Sequence, residues 1–221
     1  MAVGKNLPRV LKVARPFLFD VVINQIQDHL ASQLSWLTHC FGRCERLVKD
    51  INGRRVYTPN VYAGSNEYIL LTPDSRLGNY AFFVVEEPER IKFERGVRGR
   101  YRAPFSLIVW VDMRKVSDND DRNTEEVKDA IVKAVNSAMP YEGGLTVDRI
   151  YNHAERVFEG FSLDEVDNQF LMAPFCGWRL TGELWVYENC VEPEPEPELE
   201  PEPEPTPEPD DNDNNNDDDN G

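Results

Sequence analysis

The amino-acid sequence predicts an α+β domain, with two helices packed on a mainly antiparallel sheet, followed by a disordered acidic tail. Two segments repeat apolar residues at helical spacing, and several segments between and after them alternate at strand spacing. The resulting order of helix, strands, helix, short elements and strand is typical of the α+β class. The third observation is the composition of residues 191–221, which hold 14 carboxylates, eight prolines and no Lys or Arg.

The tail carries most of the net charge of −16. The chain has 40 acidic and 24 basic residues, and 26 of the acids lie in residues 1–190. Residues 1–190 are therefore predicted to form a single, nearly neutral domain. Glu–Pro alternation through residues 192–209 favours an extended chain, because proline opposes helix and like charges repel. Residues 191–221 are expected to be disordered.

The first helix is predicted from apolar residues at steps of three and four between Phe19 and Phe41. Pro16 suits the first turn and Gly42 suits the stop, so the prediction is a long N-terminal amphipathic helix of roughly five turns. Its polar face has almost no charged residues. This suits contact with another protein chain slightly better than contact with water, but a plain surface helix stays the favoured interpretation.

Strand periods follow the first helix. Short segments bounded by turn-forming residues predict strands joined by tight turns, and hence antiparallel neighbours. These segments are residues 54–58, 61–63, 67–71 and 80–85. Residues 105–111 are apolar on both faces, which predicts a central strand covered on both sides. Residues 178–187 alternate as a closing strand would.

A second helix is predicted to begin at Asn123, whose side chain can cap it, with Glu126 completing a capping-box-like pair. It should end before Pro140. Its narrow apolar side consists of Val127, Ile131, Ala134 and Ala138. Residues 145–158 are ambiguous between strand and helix, and a second capping box predicts a short helix from Ser162.

A long, basic and mobile loop is predicted at residues 90–104. Residues 90–102 contain six basic residues against the single acid Glu94, and two glycines interrupt any regular pattern. The loop could contact nucleic-acid phosphates or an acidic partner surface, and a solvated loop is the alternative. The candidate contacts are Arg90, Lys92, Arg95, Arg98, Arg100, Tyr101 and Arg102.

Composition argues against several classes of protein. There is no run of 18 apolar residues and no secretory pattern at the start, so a non-secreted protein without a membrane span is expected. Four cysteines in 221 residues do not make a disulfide scaffold, and they are interpreted as reduced thiols. They are Cys40, Cys44, Cys176 and Cys190.

Residues for catalysis or cofactor binding are not apparent in the sequence. Cys40 and Cys44 lack partners at metal-ligand spacing, and no phosphate-binding or nucleophile motif is present, so no metal, no cofactor and no enzyme activity are predicted. Asp74, Glu86, Glu87 and Lys92 surround a predicted hairpin, as acids and a lysine do in metal-dependent nucleases, but their spacing does not match the required acid and lysine triplet. The Asp/Asn run of the tail lacks the Gly and Glu of a calcium loop.

The order of elements resembles the tail-terminator or tail-completion family of tailed bacteriophages. The residues that carry the resemblance, over roughly 17–188, are Leu34-Ser35-Trp36-Leu37, Asn66-Glu67-Tyr68-Ile69-Leu70-Leu71-Thr72-Pro73, Leu107-Ile108-Val109-Trp110-Val111 and Arg156-Val157-Phe158-Glu159-Gly160-Phe161-Ser162. These motifs share order and character and are not a fingerprint. The Glu–Pro repeat and the basic loop depart from the compact members and are similar to neck and tail ring proteins of crAss-like phages.

The resemblance implies a structural virion protein that forms a hexameric or dodecameric ring at the head-to-tail junction or upper tail. Residues 1–190 would then be a ring-forming domain, made in the host cytoplasm. Its expected partners are copies of itself, adjacent portal, neck or tail ring proteins, and the passing DNA by nonspecific contact. The alternative is a nucleic-acid-binding accessory protein whose basic loop grips phosphates, with the acidic tail as internal competitor; only this alternative requires affinity to fall steeply with salt.

Overall fold

The computed structural model describes residues 7–51, 53–87, 89–92, 100–116 and 123–187, with residues 91 and 92 described by backbone alone. These residues form an α+β fold with one mixed sheet and one small antiparallel sheet. The predicted class is therefore confirmed as α+β, whereas the mainly antiparallel single sheet is not. The acidic tail predicted at 191–221 lies outside the described residues.

Three α-helices and ten strands are present in the described part of the chain. The helices are α1 (Phe19–Gln33), α2 (Thr124–Ser137) and α3 (Ala154–Val157). The strands are β1 (Val10–Leu11), β2 (His39–Arg43), β3 (Glu45–Ile51), β4 (Arg54–Gly64), β5 (Glu67–Leu70), β6 (Tyr80–Val85), β7 (Arg90–Lys92), β8 (Arg100–Asp112), β9 (Gly143–Tyr151) and β10 (Phe175–Tyr187).

The main sheet has the order β1-β2-β6-β8-β10-β9, with β7 also paired to β8, and the small sheet has the order β3-β4-β5. β2 is parallel to both of its neighbours, β1 and β6. The other pairs of the main sheet are antiparallel. The predicted antiparallel pairing of 67–71 with 80–85 is wrong, since β5 and β6 belong to different sheets. The neighbour of β6 is instead β2, whose residues 39–41 had been assigned to the end of the first helix.

The central strand is confirmed. β8 lies between β6 and β10, and its alternate residues enter two separate hydrophobic clusters. Leu107 and Val109 pack with α1 and α2 on one face, while Ile108 and Trp110 pack with the α3 region and residues of the small sheet on the other. Each face of the strand is therefore covered, as the run of apolar residues predicted.

The first helix is shorter than predicted, because α1 ends at Gln33 and Leu34 leaves the helical conformation. Leu37 is still buried, but from the turn that follows the helix, and the predicted stop Gly42 lies inside β2. The prediction was too long because Leu37 in the turn and Phe41 in β2 follow Leu34 at steps of three and four residues, which is the spacing of a helix. The uncharged polar face contacts the chain's own N-terminal segment, since Gln27 donates to the carbonyls of Leu11 and Cys40 at 2.9 and 2.8 Å.

The second helix begins where it was predicted. The Asn123 Oδ1 accepts a hydrogen bond from the Glu126 backbone N–H at 3.2 Å, and the helix runs to Ser137. The short helix from Ser162 is wrong, because the Ser162 hydroxyl and backbone pair with Tyr57 of β4 instead. The two strands predicted at 54–58 and 61–63 are one strand, β4, which passes through Pro59-Asn60 without a break.

Candidate interaction surface

The predicted basic loop at 90–104 is in part a β-hairpin. Arg90–Lys92 pairs with Arg100–Arg102 at the start of β8, and residues 93–99 lie outside the described residues. The loop prediction was therefore wrong for residues 90–92 and 100–104, which are strands. In β8 the side chains alternate between the two faces, so that Ala103 and Phe105 face the core beneath α1 and α2 while Pro104 faces away. Arg95 and Arg98 belong to the segment that is not described.

Arg100 and Arg102 are held by partners on β10. The Arg100 guanidinium carbon lies 5.1 Å from the ring of Trp185 and 5.5 Å from the ring of Tyr187, as in a cation–π contact. The Arg102 Nη1 donates to Glu183 Oε2 at 2.8 Å. These arginines are thus anchored on the sheet face opposite α1 and α2, where Gly144 leaves room for the indole of Trp185.

The other predicted contact residues fall into different environments. The Arg90 side chain is exposed and has no hydrogen-bond or ion-pair partner among the described residues, while its backbone is paired with Arg102. Tyr101 is half-buried and packs against the helix-side core, so its ring does not share the face of Arg100. Lys92 lies beside Arg100 in the strand register. The structure therefore brings Arg90, Lys92, Arg100 and Arg102 to one end of the main sheet, hereafter the basic end.

A turn that sequence reasoning missed lies at the same end of the sheet. Met139 and Tyr141 are each 87% exposed, although both are large apolar side chains. The turn is held in place, since Gln25 Oε1 accepts from the Tyr141 N–H at 3.1 Å and the Glu142 carbonyl accepts from the Tyr187 N–H at 2.8 Å. Residues 139–141 are hereafter the apolar turn. Its only signal in the sequence is a Met-Pro-Tyr directly after an amphipathic helix.

The opposite end of the sheet carries a cleft of about 530 Å³. Its apolar part is formed by Phe170, Met172, Pro174 and Phe175, and Met172 is 60% exposed. Asp112 closes the strand end and accepts from Arg114 Nε and Nη2, both at 2.8 Å. The hydrogen bonds from Arg114 hold the pKa of the Asp112 carboxyl below its usual value, so the pair stays ionised. This hollow is hereafter the apolar cleft.

A second, polar cleft of about 660 Å³ lies beside β10 and contains Arg179, which is 6% exposed. All three guanidinium nitrogens are occupied. Nε donates to Ser106 Oγ at 2.9 Å, Nη1 to the Glu159 carbonyl at 2.7 Å and Nη2 to Glu86 Oε1 at 2.5 Å. Each of the three nitrogens thus has a partner on a different segment, and this arginine ties three elements together.

Thiols and potential metal ligands are dispersed in the described part of the chain. No three His, Cys, Asp or Glu residues there are close enough to hold a metal ion. Cys40, Cys44 and Cys176 are free thiols, and Cys190 lies outside the described residues. Burial raises the pKa of Cys44 and of Cys176 to about 12, so both stay protonated at neutral pH. Asp74 lies near the predicted hairpin that resembled a nuclease site. Its carboxylate accepts hydrogen bonds from the backbone N–H groups of Arg76 and Leu77 and so stabilises a turn.

Comparison of the sequence with family models and curated proteins identified no homologue. The sequence matches no family model, and no curated protein shows significant similarity to it. Within the described ranges, no helix is long and apolar enough to cross a bilayer.

Proposed function

We propose that this protein is a structural subunit of a tailed-phage particle. It forms a ring at the head-to-tail junction or upper tail, connects the rings above and below it, and lines the passage for DNA. The order of its elements supports this proposal through the resemblance to tail-terminator proteins. The structure supports it through the kind of surface that the fold presents.

The apolar turn is the observation that carries the proposal. Large apolar side chains that are almost fully exposed cost solubility, so a fold that fixes two of them in one turn favours a protein interface. Backbone hydrogen bonds on both sides of Tyr141 hold the turn in one conformation. A fixed turn loses little conformational entropy when a partner covers it.

The other large features are better explained by structure than by chemistry. The polar cleft is organised around Arg179, whose guanidinium binds Ser106, Glu86 and the Glu159 carbonyl, and Asp112 is paired with Arg114. In the polar cleft the Ser106 hydroxyl donates to Glu86 Oε1 at 2.8 Å and accepts from Arg179 Nε, so both groups belong to the network around Arg179. A role in assembly accounts for the exposed Met139 and Tyr141, which the interactions inside the subunit do not explain.

A double variant of the apolar turn tests the proposal. Met139→Ser with Tyr141→Ser should keep the wild-type melting temperature, because exposed positions contribute little to stability, and should abolish the oligomer measured by light scattering. Phe17→Ser is the matched control, since Phe17 is 72% exposed in the segment between β1 and α1. A double variant that still assembles like the wild type would refute the role of the turn.

Nucleic-acid binding is the second candidate, and the basic end favours it. Arg100 lies over the rings of Trp185 and Tyr187, and Arg90 and Arg102 are paired strand neighbours at the same end of the sheet. Cations beside aromatic rings suit phosphate contact with base stacking. Fluorescence anisotropy with double- and single-stranded DNA should then show an affinity that falls steeply between 50 and 200 mM salt, roughly 10³-fold or more for several phosphate contacts. Salt-independent or absent binding would remove this candidate.

A further inference from the structure

We infer that the basic end binds single-stranded nucleic acid, with phosphates on its arginines and bases on the rings of Trp185 and Tyr187. This inference rests on nucleic-acid binding, the second candidate function, and names the class of its ligand. It does not depend on the ring. Its support comes from the strand register, which fixes the residues that share one face of the sheet.

Two rows of residues cross the basic end on the sheet face opposite α1 and α2. Residues that are directly paired, or that lie two positions apart on one strand, belong to the same face. Read across β7, β8 and β10, the rows are Lys92, Arg100 and Tyr187 in one and Arg90, Arg102 and Trp185 in the other. Each row therefore consists of two basic residues followed by an aromatic residue.

The basic residues of each row stand directly opposite each other in the register. Like charges at directly paired positions destabilise a sheet. Arg102 is offset by Glu183, whose Oε2 lies 2.8 Å from its Nη1. Arg90 and Arg100 have no ion-pair partner among the described residues. An anion bound across the two rows would relieve the repulsion, so the register favours a ligand with several negative charges.

The aromatic rings distinguish nucleic acid from other polyanions. The Arg100 guanidinium carbon lies 5.1 Å from the ring of Trp185 and 5.5 Å from the ring of Tyr187, so a phosphate held by Arg100 has two rings beside it. Neither ring belongs to the two hydrophobic clusters of the core, and Tyr187 is 39% exposed. Bases stack on such rings with little dependence on sequence, whereas a carboxylate-rich peptide offers charge alone.

Charge alone is a weak basis for binding to this chain. The net charge is −16, so a polyanion is repelled by the protein as a whole. Binding at the basic end therefore requires a contribution besides charge, and stacking on the two rings supplies one.

The same rings favour a single strand over a duplex. The bases of a duplex are paired and stacked on each other, whereas those of a single strand are free to stack on protein side chains. A duplex carries the higher charge density, with one phosphate charge per about 1.7 Å of axis against about 3.4 Å for each strand. A preference for the single strand at equal length therefore reports contact with bases.

Fluorescence anisotropy of the full-length protein tests the inference, with an oligothymidine of about 12 nucleotides and a duplex of the same length as probes. The single strand should bind more tightly than the duplex by about fivefold or more, the effect of one stacked base. Tyr187→Leu should weaken single-strand binding by a similar factor and leave duplex binding unchanged, because it removes a ring and no charge. Tyr187→Phe keeps the ring and should bind like the wild type.

A charge variant and a competitor test the phosphate contacts separately. Arg90→Ser should weaken the binding of both probes and reduce the salt slope by about one phosphate contact. Arg55→Ser is the matched control, since Arg55 is exposed on β4 without a partner among the described residues, and it should bind like the wild type. Polyglutamate of the same charge should displace the oligothymidine less effectively than unlabelled oligothymidine does.

The outcomes separate the inference from the second candidate function. If neither probe binds at about 50 mM salt, nucleic-acid binding and the inference fall together. If the duplex binds as tightly as the single strand, or if Tyr187→Leu binds like the wild type, the inference is overturned while nucleic-acid binding stands. Polyglutamate that competes as well as oligothymidine would show a surface for any polyanion and would overturn both.

Discussion

At the scale of single residues, Arg179 shows how one side chain can connect several elements. Its guanidinium joins β8 through Ser106, the end of β6 through Glu86 and the segment after α3 through the Glu159 carbonyl. The sequence gives no sign of this role, since Arg179 lies in an ordinary alternating strand. Only the pairing of β10 with β8 places Ser106 within its reach.

Replacing Arg179 tests whether the network stabilises the fold. Arg179→Met should lower the free energy of unfolding by about 3 kcal/mol, because Glu86, Ser106 and a carbonyl lose their donor in a partly buried site. Urea denaturation measures the change. Arg149→Met is the control in the same cleft, since Arg149 is exposed and unpaired among the described residues, and it should stay within about 0.5 kcal/mol of wild type. Equal effects of both substitutions would refute the structural role.

At the scale of elements, caps and strong periods were predictable, whereas β2 and β9 were not. Asn123 marks the start of α2 because a side-chain oxygen there satisfies a free backbone N–H, a purely local interaction. The end of α1 depends on tertiary packing, since Leu37 and Phe41 are buried by the sheet and continue the helical spacing only by coincidence. The cap of α2 could therefore be predicted from local signals, whereas the end of α1 could not, and at Ser162 the pairing with β4 outweighed a capping pattern.

The cap of α2 offers a matched pair of substitutions. Asn123→Ala removes the acceptor for the Glu126 N–H and should cost about 1 kcal/mol of stability. Asn136→Ala, at an exposed position inside the same helix, should be neutral or slightly stabilising, because Ala has the higher helix propensity. Thermal melts of both variants measure the difference, and a destabilised Asn136→Ala with an unaffected Asn123→Ala would contradict the cap.

The candidate site was predictable only in part, because its arrangement also depends on contacts between residues that are distant in the sequence. The cluster of basic residues was visible as composition, but the strand pairing that anchors Arg100 on Trp185 and Tyr187 joins segments about 85 positions apart. The apolar turn was missed because Met139 and Tyr141 look like ordinary residues beside Pro140. Their exposure becomes visible only when the fold leaves them uncovered.

At the scale of the whole molecule, the described part of the chain has two chemically different ends. One end of the main sheet carries Arg90, Arg100 and the apolar turn, and the other carries the apolar cleft, whose charged lining is Asp74, Asp112, Arg114 and Lys115. Polarity along the strands suits a subunit that meets its neighbours through unlike surfaces. Such a subunit forms a closed ring if the rotation between neighbours closes, and a filament if it does not.

Negative-stain electron microscopy of the purified full-length protein tests the central claim most directly. The account predicts closed rings of uniform diameter with a central opening, built from six or twelve subunits of 25.4 kDa. Isolated single subunits at every concentration, or open filaments without closed rings, would contradict it.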